Sequence, residues 1–196
     1  MRTAAPHTTV DITSAGSSAV FTPDSVFDPS ARRHLVCEQP TVIHCHHYAT
    51  LFTQMATDAE HLGGPVHLID AAAEALYPIL KRYMVLHKLV RLNDRLAVAE
   101  QYFSFSGLGQ IRFSCRPGEA LVTMARSHID DGWLRRWGPR DKPVNFIGLG
   151  FIKATLAAVF DLDDWHDVNV TEHKSIVCGA PHSEFLAAWR TATDGA

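Results

Sequence analysis

Residues 111–125 read IRFSCRPGEALVTMA. Ile111, Phe113 and Cys115 alternate with Arg112 and Ser114, the period-two pattern of a strand with one buried face. Arg116-Pro117-Gly118-Glu119 is a turn, and Ala120–Ala125 reads as a second strand. Upstream, Phe103 and Phe105 alternate with Ser104 and Ser106 before Gly107-Leu108-Gly109, which predicts strand character there too, with a bulge at the glycines. Further upstream the period lengthens. Val42, Cys45, Ala49, Phe52 and Met55 form one stripe of a helix over Thr41–Ala59. Pro65 opens a second helix that runs to about His87, with Pro78 inside it. Downstream, Ser127 or Asp130 caps a short helix through Trp133 and Trp137. Val144–Phe160 is a third substantial helix, and Val168–Ile176 and Glu184–Trp189 read as paired strands around Gly179-Ala180-Pro181. The order helices, strands, helix, strands predicts an α+β fold, with helices packed against a mainly antiparallel sheet. Residues 1–30, rich in small and polar residues, read as an N-terminal arm with a short strand at Ala19–Phe21. Residues 31–196 read as one domain.

At 196 residues the chain is long enough to bury a core without disulfides or metals as staples. The net charge of -3 gives no footprint for a nucleic-acid backbone. No apolar run approaches the length of a membrane span, and the first residues lack the apolar centre of a secretory signal. Cys37, Cys45, Cys115 and Cys178 form no CxxC pair, so they read as reduced thiols of a cytoplasmic protein.

The densest chemistry-bearing run is Cys37, His44, Cys45, His46, His47, Glu60 and His61. Imidazole, thiolate and carboxylate together are ligands for zinc or iron. On a helix His44 and His47 share a face, whereas Cys45 and His46 point elsewhere. The candidate metal set is therefore Cys37, His44, His47 and His61. His47, Glu60 and Cys45 are the candidate catalytic groups, as proton carriers and nucleophile. The competing account of the run is a helix start with solvated histidines and Cys45 in the core. Tyr48, Tyr77, Tyr83, Phe103 and Phe105 are candidate walls of an apolar pocket. Neither GLG, at 107–109 or 148–150, completes a dinucleotide fingerprint. Asp161, Asp163 and Asp164 lack the alternation of a calcium loop.

FIGLGFIKATLAAVF at 146–160 and VTEHKSIVCGAPHSEF at 170–185 resemble the small-residue helix and final strand–turn–strand of the 4-vinyl-reductase-type ligand-binding domain. The resemblance extends over about residues 40–190. The family includes aromatic-sensing domains of bacterial transcription activators, so the resemblance implies an α+β pocket for a small molecule. In its zinc-containing sensor members one glutamate and three cysteines hold the metal. The matching positions here are Glu172, with Ser175, Ser183 and Asn145 in place of the cysteines. Neutral Ser and Asn do not replace three thiolates, so that zinc site is not carried over.

These features support two functions of different kind. The first is a small-molecule enzyme, metal-dependent in its sharpest form, acting on a compact apolar or aromatic substrate. The alternative is a non-catalytic small-molecule-binding or sensor protein, working as a homodimer or with a signalling partner. A structural assembly factor is a third reading. The concentration of His, Cys and Glu places the enzyme first.

Overall fold

The computed structural model describes residues 11–42 and 45–191. The hairpin read at 111–125 is the centre of the fold. Strands β5 (Gly109–Arg116) and β6 (Glu119–Ser127) pair antiparallel around the Pro117-Gly118 turn. Strand β1 (Ile12–Thr13) adds to the free edge of β5, and β8 (Ser183–Ala188) adds to β6, followed by β7 (Asn169–Lys174). The result is a five-stranded antiparallel sheet in the order β1-β5-β6-β8-β7. Alternation sends Ile111, Phe113, Cys115, Val122, Met124 and Phe185 inward and leaves Arg112, Leu121 and Leu186 on the open face. A smaller antiparallel sheet comprises β2 (Ser25–Asp28), β3 (Arg33–Val36) and β4 (Gln39–Thr41). The described residues thus form an α+β fold with helices on an antiparallel sheet.

The helices are α1 (His46–Asp58), α2 (Gly64–Leu86), α3 (Leu92–Phe105), α4 (His128–Trp137) and α5 (Phe146–Val159). α5 is apolar around most of its circumference, with Phe151, Ile152, Ala154, Leu156, Ala157 and Val159 all without exposed surface. It packs along α2, where a Cβ on Gly150 would meet the Ile69 carbonyl and, at 2.7 Å, Ala72 Cβ. Pro78 is accommodated inside α2, and Pro65 stands in its first turn. No helix of the described residues is long and apolar enough to cross a membrane.

Several local expectations change. The helix read from Thr41 begins at His46, and Thr41 ends β4. Of the stripe read for it only Ala49 is buried, because the helix turns Ala49, Thr50, Thr53 and Ala56 inward while Val42, Cys45, Phe52 and Met55 are exposed. Residues 103–105 are the end of helix α3, not a strand. Leu96, Ala99 and Phe103 recur at helical spacing, and that face is buried, so the two-residue alternation of Phe103 and Phe105 is incidental. Phe103 and Phe105 accordingly part: Phe103 is 1% exposed and Phe105 46%. Residues 19–21 form no strand either. They run in an irregular segment tied to α3 through Gln101 and, at the neighbouring Thr22, to α2 through Tyr83.

Glu100 ties this part together from within α3. Its carboxylate accepts from the Phe113 backbone N–H at 3.0 Å, from Arg112 at 2.6 Å and from Ser14 at 2.7 Å. Helix, sheet and the strand-β1 loop are therefore joined through one buried group, which is tolerable only because its oxygens are hydrogen-bonded.

Candidate functional site

The histidine-rich run does not converge among the described residues. Cys45 is the N-cap of α1, and His47 is exposed on its first turn, its ring 4.2 Å from that of half-buried His46. Glu60 and His61 lie on a short turn beyond the other end of α1, where Glu60 faces Lys142 at 3.6 Å. At 1.5 Å rise per residue, a helix of this length separates His47 from Glu60 by roughly 20 Å. Cys37 is elsewhere again, buried in the two-residue turn between β3 and β4 with its N–H bonded to the Asp24 carbonyl. His44 lies outside the described residues. No three His, Cys, Asp or Glu side chains among the described residues meet in metal-binding geometry.

The polar groups that do converge lie at the junction of β6, α4, α5, β7 and β8. Asn145 is central because it caps one helix and grips the start of another. Its side-chain oxygen accepts from the Gly148 N–H at 3.0 Å at the start of α5. Its amide nitrogen donates to Asp130 Oδ2 and to the Ser127 hydroxyl, both at 2.9 Å. Ser127 in turn caps α4 by accepting from the Asp130 N–H at 3.1 Å. On the other side, Ser183 donates to Glu172 Oε1 at 2.9 Å while accepting from the Ile176 N–H at 3.1 Å. The Asn145 backbone N–H also points at the Glu172 carboxyl. Ser127, Asp130, Asn145, Ser175 and Ser183 are all buried.

Two carboxyl groups thus share one interior, and among the described residues no cation is bonded to either. Burial pushes Glu172 up to about 7, with the Asp130 charge acting in the same direction and the Ser175 and Ser183 hydroxyls against it. Burial likewise pushes Asp130 up to about 6 against the pull of Ser127 and Asn145. Asp130 Oδ1, Glu172 Oε2 and the Ser175 hydroxyl oxygen have no hydrogen-bond partner among the described residues. A proton held on the pair near neutrality lowers the cost of burying two negative charges.

The second concentration of chemistry is aromatic. Phe21 from the irregular segment meets Tyr83 of α2, and Tyr102 and Phe105 of α3, at ring-centroid distances of 4.8, 5.3 and 5.5 Å. Phe103 and Phe151 continue the cluster inward, edge to face at 4.7 Å. The Tyr83 hydroxyl accepts from the Thr22 N–H at 2.9 Å. The buried Tyr102 hydroxyl is held less acidic by burial, with Ser106 as its hydrogen-bonding neighbour. Of the other pocket candidates, Tyr77 donates to the Leu162 carbonyl at 3.2 Å beside Trp165, and Tyr48 stands 56% exposed on the outer face of α1.

The sequence matches no protein-family model and no curated protein. Among solved structures, the phenol-responsive sensory domain of the transcription activator PoxR, solved with phenol, superposes with a TM-score of 0.68 over 84% of each chain at 12% identity. The chain has the fold of that sensory domain. A trafficking protein particle complex subunit 3 from Naegleria fowleri, covalently bound to palmitic acid, is similar over 74% of this chain and 91% of its own, with a TM-score of 0.49 and 13% identity. Within the sensory-domain fold, the four positions matched to a zinc set, Asn145, Glu172, Ser175 and Ser183, do come together. Their chemistry does not fit zinc. They offer one carboxyl, two hydroxyls and an amide whose oxygen and nitrogen are already engaged, and no thiolate. Cys178, on the adjoining turn, is exposed.

Sequence reasoning identified Glu172, Ser175, Ser183 and Asn145 through the resemblance, and Ser127 and Asp130 only as helix caps. Asp130 had no signal as a member of the buried cluster, because the side chain that holds its carboxylate, Asn145, is 15 residues away in the chain.

Proposed function

We propose that this chain is a non-catalytic sensory domain that binds a compact apolar or aromatic small molecule. The observation that carries the reading is the aromatic cluster of Phe21, Tyr83, Tyr102, Phe103, Phe105 and Phe151 inside the fold of a phenol-responsive domain. The rings of Tyr83, Tyr102 and Phe105 around Phe21 offer a single-ring ligand stacked and edge-on contacts, and the Tyr83 hydroxyl and Gln101 amide stand beside them as polar anchors. The enzyme reading loses its support in the same geometry. His47, on the first turn of α1, and Glu60, beyond its other end, were assigned to proton transfer and stand too far apart to act on one bond. The buried carboxyl pair is locked among helix caps, where it holds the fold rather than a substrate. A reducing, cytoplasmic setting suits the buried thiols Cys37 and Cys115, the latter pushed up to about 12 by burial and so inert.

Calorimetric titration with phenol, followed by mass analysis of the recovered ligand, tests the reading. Saturable one-to-one binding with the ligand returned unchanged is the expected result. Chemical conversion of the ligand by the purified chain, or no binding across a panel of single-ring aromatics, refutes it.

A further inference from the structure

The segment Ser17–Thr22 belongs to neither sheet, yet it is anchored at four points. Ser17 donates to Asp94 at 2.7 Å. The Gln101 amide holds the backbone from both sides, accepting from the Phe21 N–H and donating to the Ala19 carbonyl, each at 2.9 Å. Tyr83 accepts from the Thr22 N–H. Along this segment Val20 is 71% exposed and Thr22 is exposed, while Phe21 between them is 8% exposed. One ring of an otherwise surface-bound segment is thus inserted among Tyr83, Tyr102 and Phe105.

We propose that Phe21 is a built-in occupant of a single-ring aromatic site, and that a ligand enters by displacing it and releasing residues 17–22 from α2 and α3. This rests on the sensory reading and assigns its ligand site and its moving part. The physical argument has two parts. First, the segment is held by side-chain hydrogen bonds and one ring, not by a sheet ladder, so it can leave without disrupting either sheet. Second, its departure strips the Gln101 amide and the Tyr83 hydroxyl of their backbone partners. A molecule that takes its place covers these groups again, and polar groups covered without partners are costly, so the displacing molecule must supply a donor and an acceptor as well as a ring. A phenol-class ligand does both through its hydroxyl, whereas toluene supplies only the ring. In the unliganded protein the site is mostly closed by Phe21, and the apparent affinity is reduced by the fraction of time it stands open.

The test uses the full chain with phenol and toluene as probes, in the wild type, Phe21→Ala and the milder Phe21→Leu. Removing the plug leaves the three walls in place, so phenol is expected to bind Phe21→Ala about 10-fold or more tighter than wild type, with Phe21→Leu between them. Should Phe21→Ala fail to fold, Phe21→Leu carries the comparison. In the wild type, phenol is expected to speed amide hydrogen exchange at residues 17–22, and toluene to bind more weakly than phenol. Phenol binding that is equal in all three proteins, with residues 17–22 still protected, overturns the proposal and leaves the sensory reading standing. Binding lost in a folded Phe21 variant overturns it too, because Phe21 is then part of the wall. Failure of the wild type and both variants to bind either probe overturns the sensory reading and the proposal together.

Discussion

Asp130 and Glu172 show most directly how single residues set the behaviour of this protein. A carboxyl whose acidity is suppressed by folding binds its proton more tightly in the folded than in the unfolded chain. Stability from such a group is complete below its unfolded pKa and is lost as the pH rises through its folded one. With unfolded values near the ordinary 4 and folded values of about 6 for Asp130 and about 7 for Glu172, the loss falls between about pH 4 and 7. Its size for the pair is on the order of a few kcal/mol. Glu172→Gln keeps the shape and an acceptor for Ser183 while removing the titration. Thermal unfolding from pH 4 to 8 is expected to show a shallower decline in this variant than in wild type, with the two proteins furthest apart at the alkaline end. Parallel profiles contradict the assignment. Glu172 was visible in the sequence through the strand–turn–strand resemblance, and Asp130 only as a capping residue. Burial decides the acidity of both, and burial is not written at either position.

At the scale of elements, α5 and α3 behaved differently as sequence. The helix read over Val144–Phe160 is α5, spanning Phe146–Val159, and its near-continuous apolar residues bury almost its whole circumference. Residues 92–105 carry Asn93, Asp94, Arg95, Glu100 and Gln101 among their apolar positions. They show no clean helical stripe in the sequence, because several of those polar groups serve tertiary partners. Glu100 binds the sheet, Gln101 the 17–22 segment, and Arg95 the Leu89 and Val159 carbonyls. Gly150 is the element-scale test. It lets α5 approach α2 so closely that a methyl group would strike the Ile69 carbonyl and Ala72. Gly150→Ala forces two packed helices apart, and overpacking of this kind costs about 1–3 kcal/mol. Chemical denaturation is expected to show a lowered midpoint with little change in slope. An unchanged or raised midpoint shows that the interface yields more readily than its geometry implies.

For the whole molecule, the corner where α4, α5, β7 and β8 meet is joined by hydrogen bonds among neutral or proton-sharing groups. Dialysis against EDTA is expected to leave the melting temperature unchanged, and added zinc to raise it no more than it raises that of a Glu172→Gln, Ser183→Ala variant. A fall in melting temperature with EDTA, restored by zinc, contradicts the oxygen-only donor set as the source of cohesion there. Taken alone, the sequence determined the hairpin at 111–125, the helices α2 and α5, the α+β order and the family likeness of 146–185, but not the buried face of α1, where Ala49, Thr50, Thr53 and Ala56 turn inward and Val42, Phe52 and Met55 stay exposed. The features it determined are properties of neighbours along the chain: alternation, 3.6-residue spacing and turn chemistry, each decided within a few residues. It also suggested a metal centre from histidines close in number. Tertiary structure alone decided which polar groups share space. The rise of a helix carried His47 away from Glu60, while strand pairing brought Glu172 to Ser183 and the helix caps brought Asp130 to Asn145. Proximity in the chain becomes proximity in space only within a turn or a strand pair, and the chemistry of this protein depends on contacts longer than that.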